Sequence, residues 1–139
     1  MSLSDAYKKI LVEEITFAIK KMGETKEAQV LLYYFSAIPG MFQRIYNIEY
    51  DSDTVVAHYI LKATHEAFIQ RLKASQPGGD MTILIKDDQI ERLISLSKEL
   101  LRHIKKNSNI DIVLKKFVIL LYSTTGNGNY LMEKGWLKI

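Results

Sequence analysis

Apolar positions recur along most of this chain at helical spacing, and the densest of them lie in Ala28–Gly40. That stretch is thirteen residues long, and no ionised side chain occurs from Ala28 through Gln43. A helix apolar around its whole circumference belongs inside a bundle, and this one is too short to cross a membrane, which takes about 20 residues. The pattern predicts a central helix over about Thr25–Ala37, broken by Pro39-Gly40, with Pro39 biasing Ile38 away from helical backbone.

Upstream, Ser4-Asp5 offers N-cap chemistry, and Tyr7, Ile10, Leu11, Ile15, Ala18 and Met22 repeat with a helical period. Lys20-Lys21 suits the carbonyl end of the dipole and Gly23 supplies a stop, so the first helix is expected over Asp5–Met22. Downstream, Met41–Tyr50 groups Phe42, Ile45, Tyr46 and Ile48 around Arg44 as a short helix. Asp51-Ser52-Asp53 is a helix-start cluster. It opens a long helix to about Ala74 with Val56, Tyr59, Ile60, Ala63 and Ala67 as its apolar stripe.

Pro77-Gly78-Gly79-Asp80 is the one convincing internal boundary, and the period changes beyond it. Met81–Ile85 is short, β-branched and flanked by turn residues, which predicts a strand. Asp87 then caps an amphipathic helix whose buried stripe is Ile90, Leu93, Ile94, Leu100, Leu101 and Ile104. After the Asn107-Ser108-Asn109 turn, a further helix is expected over Ile110–Ser123, followed by a Gly126–Asn129 loop. Tyr130–Ile139 reads as two short strands about Lys134-Gly135, and an isolated hairpin is marginal. Pairing with Met81–Ile85 makes a three-stranded antiparallel sheet. The expected fold is thus mainly α: one domain over 1–139, a helical core at 5–76 and 87–124, and a minor β lobe at 81–86 with 129–139.

Composition fits one globular domain: 139 residues, 47% hydrophobic and 25% charged. The absence of cysteine excludes disulfides and thiolate metal sites and favours an intracellular setting. The Met1–Ser4 start has neither a basic nor an apolar leader region, so the cytoplasm is the expected location. Net charge is +3, unevenly spread. Met1–Asp80 carries 9 basic and 10 acidic residues, whereas Met81–Ile139 carries 10 basic and 6 acidic. That asymmetry points to a polyanionic partner for the second half, or simply to a lysine-rich soluble surface.

No pattern of residues implies catalysis or a cofactor. His58 and His65 share a helix face seven residues apart, with His103 elsewhere, and the three- or four-residue ligand spacing of helical metal sites is missing. Asp51/Asp53 and Asp87-Asp88 sit where helix N-termini favour anions, and Glu13-Glu14 point about 100° apart. Gly126-Asn127-Gly128 follows a helix and lacks the Lys-Ser/Thr of a phosphate loop. The informative feature is basic. Arg92, Lys98, Arg102, Lys105 and Lys106 lie opposite the apolar stripe of one helix, with Lys115-Lys116 on the next, as phosphate-backbone contacts require. Glu91, Glu99 and Asp111 interrupt the set, so a solvated helix face is the competing reading. Tyr130 and Trp136 are candidates for stacking on unpaired bases, with packing of the hairpin against the domain as the favoured alternative.

One layout brings these features together: Tyr33-Tyr34-Phe35-Ser36, Gly40, Phe42-Gln43-Arg44-Ile45, a long acid-capped helix, a short strand and two more helices. Over roughly Ala28–Tyr122 this resembles the small subunit of the archaeal type I-A CRISPR interference (Cascade) complex, an antiviral defence assembly. The resemblance implies a helical domain with a minor sheet. It also implies a non-catalytic role contacting neighbouring subunits and holding RNA or single-stranded DNA by the backbone, while base pairing with the guide reads the sequence. No family motif assigns the basic residues named above. Two other readings stay open: a structural or adaptor protein that oligomerises through apolar helix faces, and a winged-helix DNA-binding protein. The second is disfavoured because Phe117–Leu121 suits burial better than a major groove.

Overall fold

The structure, a computed structural model, describes residues 3–74 and 87–125. They form α1 (Asp5–Glu24), α2 (Ala28–Phe35), α3 (Ala37–Ile48), α4 (Ser52–Ala74), α5 (Asp87–Lys105) and α6 (Asp111–Thr125). Every regular element among the described residues is therefore a helix, and the expected helical bundle with a small β-sheet is corrected to an all-α fold. The segments assigned to the sheet, Met81–Ile85 and 129–139, lie outside the described residues, as do Tyr130 and Trp136. α1 packs on α2, α3 and α5; α4 packs on α2, α3 and α6; α5 and α6 pack together. The contacts thus form a ring about one buried cluster to which all six helices contribute.

The apolar run at Ala28–Gly40 behaves differently from the expectation. Pro39 does not end the helix; it lies in the first turn of α3, where a missing N–H is tolerated, and Ile38 is helical. Its ring instead removes the donor for the Phe35 carbonyl, and α2 ends at Phe35. Ser36, with helical φ and ψ, separates the two helices: its N–H donates to Leu32 O at 3.0 Å and its carbonyl accepts the Gly40 N–H at 3.3 Å. The Ser36 hydroxyl donates to the Tyr33 carbonyl at 2.6 Å. α2 is not surrounded on all sides: Leu31, Leu32 and Phe35 are buried, whereas Tyr33 is 72% exposed.

α4 starts where the acidic cluster indicated. Asp51 Oδ1 accepts the Thr54 N–H at 3.1 Å, and the Thr54 hydroxyl returns to Asp51 O at 2.7 Å, a reciprocal cap. Its inward face matches the expected stripe fully only at Ala67, which is buried. Thr54, Ala57, His58, Leu61, Thr64 and Phe68 are buried, while Val56 and Tyr59 are exposed and Ile60 and Ala63 half-buried. Polar groups can occupy that face because each is satisfied locally: the Thr64 hydroxyl by Ile60 O at 2.8 Å, and the His58 ring by Pro39 O at 3.0 Å. α1 shifts less, burying Ile19 and exposing Ile10, and it runs past Gly23 to Glu24.

Aromatic packing joins the two halves of the ring. Phe35 at the end of α2 and Phe117 of α6 are both fully buried, their centroids 6.4 Å apart. Replacing Phe117 by alanine is expected to cost about 3–5 kcal/mol through lost burial and a residual cavity. Ile112→Ala, three-fifths exposed on the same helix, should stay within about 0.5 kcal/mol. Urea denaturation of both variants checks the contrast.

Candidate nucleic-acid interface

The basic face is built on the most clearly amphipathic helix of the fold. α5 turns Leu93, Leu96, Ser97, Leu100 and Ile104 into the core, and the Ser97 hydroxyl is satisfied by Leu93 O at 2.8 Å. At about 100° per residue, Lys98, Arg102 and Lys105 fall within about 60° of one another on the opposite side, and all three are exposed. Lys106 follows directly and is also exposed. None of these four has an ion-pair partner among the described residues.

The end of α5 is held firmly. Asn107 adopts φ 54°, the left-handed position that closes a helix. Ser108 N–H reaches His103 O at 3.0 Å and Asn107 N–H reaches Ile104 O at 3.3 Å, the paired bonds of a Schellman cap. From α1, the Lys8 ammonium adds bonds to Asn107 Oδ1 at 2.7 Å and Lys105 O at 3.4 Å, a cation at the carbonyl end of the dipole. Asn109 then caps the start of α6 through the Asp111 N–H at 2.9 Å. The corner between α5 and α6 therefore presents Lys105 and Lys106 on fixed backbone.

The other expected residues are placed differently. Arg92 lies about 120° around α5 from Lys98, on the flank shared with Glu99 and His103. Lys116 crosses from α6 to Glu99 at 2.8 Å, so its charge is largely engaged. The sequence reading treated Glu99 as a mere interruption of the basic set. Its role as a bridge between helices arises only once α5 and α6 pack. The hydrogen bond from Lys116 holds the Glu99 carboxyl below its usual value, with help from the charges of Lys116, His103 and Arg102 and against a contribution from burial. Lys115 is exposed on the first turns of α6, with no ion-pair partner among the described residues. The structure thus gathers Lys98, Arg102, Lys105 and Lys106, and separates Arg92 and Lys116 from them. The face of α6 that a winged-helix protein would insert into a groove is in the core, with Phe117 and Leu120 fully buried.

The two α4 histidines face the junction of α2 and α3. His58 Nδ1–H donates to Pro39 O. His65 stacks on Phe35, centroids 6.3 Å apart and 15° between planes. They line an open groove of about 220 Å³ with Ser36, Gly40, Gln43 and Lys62. Among the described residues no group of three His, Asp or Glu side chains is placed to hold a metal ion, and no helix is long and apolar enough to cross a membrane.

Burial lowers the His65 pKa from 6.5, opposed by its bond to Leu32 and by nearby Glu66. A folded-state pKa below the unfolded value means that the unfolded chain takes up the proton first. The His65 contribution is therefore complete above about pH 6.5 and is lost as pH falls below it. Glu99 adds a second loss only below its ordinary value of 4.5. Melting temperature followed by circular dichroism should fall between pH 7.5 and 5.5, and fall less in His65→Gln.

No protein-family model, no curated protein and no solved structure matches the chain.

Proposed function

We propose that this protein is a non-catalytic subunit of a nucleoprotein complex, contacting the nucleic-acid backbone through the corner of α5 and α6. The observation that carries the reading is the set Lys98, Arg102, Lys105 and Lys106. These are four exposed cations within about two and a half helical turns, each without an ion-pair partner among the described residues. A row of like charges repels itself, and a polyanion relieves that repulsion while releasing its own condensed counterions. Lys115 adds a further exposed cation on α6. The setting that the sequence layout resembles, a CRISPR interference complex, supplies such a polymer and delegates sequence reading to the guide, so charge and shape suffice.

Fluorescence anisotropy on labelled single-stranded and duplex oligonucleotides tests this. Four phosphate contacts give a slope of about −3 to −4 in log affinity against log salt. Lys98→Glu with Arg102→Glu should weaken binding at least about tenfold and flatten the slope by about 2. Binding that ignores salt, or that is unchanged in this variant, contradicts the assignment.

A further inference from the structure

The opposite character marks the outer face of α1. Ile10 and Phe17, 47% and 53% exposed, stand two turns apart and line an open groove of about 380 Å³ with Glu13 and Glu14. Beyond Phe17 the apolar surface continues onto α2. The Phe17 and Tyr34 rings meet edge to face at 6.4 Å, Tyr34 meets Tyr33 at 5.4 Å, and Tyr33 is 72% exposed. Contiguous exposed apolar surface of this kind marks interaction sites, and aromatic residues are typical anchors of protein interfaces.

Charge decides which kind of partner fits. Glu13 and Glu14 line the groove between the two anchors, exposed and without an ion-pair partner among the described residues, whereas Lys9 and Lys20, exposed on the same helix, stand outside its lining. Lys21, whose ammonium lies 5.7 Å from the Phe17 ring centroid, is already paired with Glu24 at 3.5 Å. A phosphate polymer stacking on these rings would meet two bare carboxylates, whereas a cationic protein segment would neutralise them. The apolar anchors repeat at about 10.5 Å along the helix axis, the spacing at which a second helix presents its own apolar side chains.

We infer that the face formed by Ile10, Glu13, Glu14, Phe17 and Tyr33 docks a basic amphipathic helix of a partner protein. The chain's own basic helix, α5, does not supply the mate, because its apolar side chains turn inward. The docking face is distinct from the basic corner and stands whether or not that corner binds nucleic acid.

The probe is a labelled helical peptide with leucine along one face and lysine on its flanks, set against a counterpart with glutamate at the lysine positions. The lysine peptide should bind at least tenfold more tightly. Glu13→Lys with Glu14→Lys should reverse that preference, and Ile10→Ala with Phe17→Ala should weaken the lysine peptide at least tenfold. All four positions are exposed, so circular dichroism should show an unchanged fold, and salt-dependent oligonucleotide binding should be unaltered. Equal affinity for the two peptides, or affinity indifferent to these variants, overturns the inference. So does sedimentation showing a wild-type dimer that Phe17→Ala dissociates, which makes a second copy the occupant. An oligonucleotide whose affinity falls with Tyr33→Ala overturns it too, because nucleic acid then occupies the patch.

Discussion

A single missing donor marks the interior. Because residue 39 is proline, the Phe35 carbonyl has no N–H four residues on, and α2 ends at Phe35 with Ser36 alone between it and α3. Both helices lie against α4, which packs on α2 and α3 alike. Phe35, at the end of α2, meets Phe117, so that the first half of the chain meets the last described helix through two buried rings. Two histidines of α4 flank the junction, one bonded to Pro39 O and one stacked on Phe35. The interruption of the helix is thus packed and hydrogen-bonded on the side that faces α4.

What could be read from the sequence follows from how far each helix separates its polar and apolar residues. α5 was legible because its charged residues and its leucines fall on opposite sides, and the buried positions Leu93, Leu100 and Ile104 are those the spacing indicated. α4 was read about one residue out of phase. Thr54, His58 and Thr64 look like surface residues, yet they bury their polar atoms against nearby backbone, while Val56 and Tyr59 look buried and are not. The cap at Asp51 was visible in sequence because capping is local. The consequence of Pro39 was misplaced by one turn, since a proline within a first turn acts on the carbonyl four residues before it.

The candidate site was legible only as far as charge alone carries. Lys98, Arg102 and Lys105 share a helix, so their common face follows from spacing. The engagement of Lys116 by Glu99 depends on how two helices pack, and no periodicity within either encodes it. The exposed Tyr33 escaped notice for the opposite reason, whereas Phe17 lies outside the apolar stripe that the spacing of α1 indicated. A sequence reading assigns aromatic residues in an apolar run to the core, and only the packed structure shows which of them the core leaves out.

The two proposed interfaces lie on different helices and differ in charge. Both faces keep unsatisfied charge, positive on α5 and negative on α1, although the fold had opposite charges with which to neutralise them. Lys20, exposed on α1, has no ion-pair partner among the described residues, and neither does Glu91 on α5. Stability alone gains little from pairing exposed ions, since such pairs contribute about 0–1 kcal/mol. Leaving them unpaired therefore costs the fold almost nothing. In the proposed reading a phosphate polymer meets the cations on the outer side of α5, and a cationic helix meets the two carboxylates between Ile10 and Phe17 on α1. The packing of α1 on α5 holds both proposed faces in one bundle.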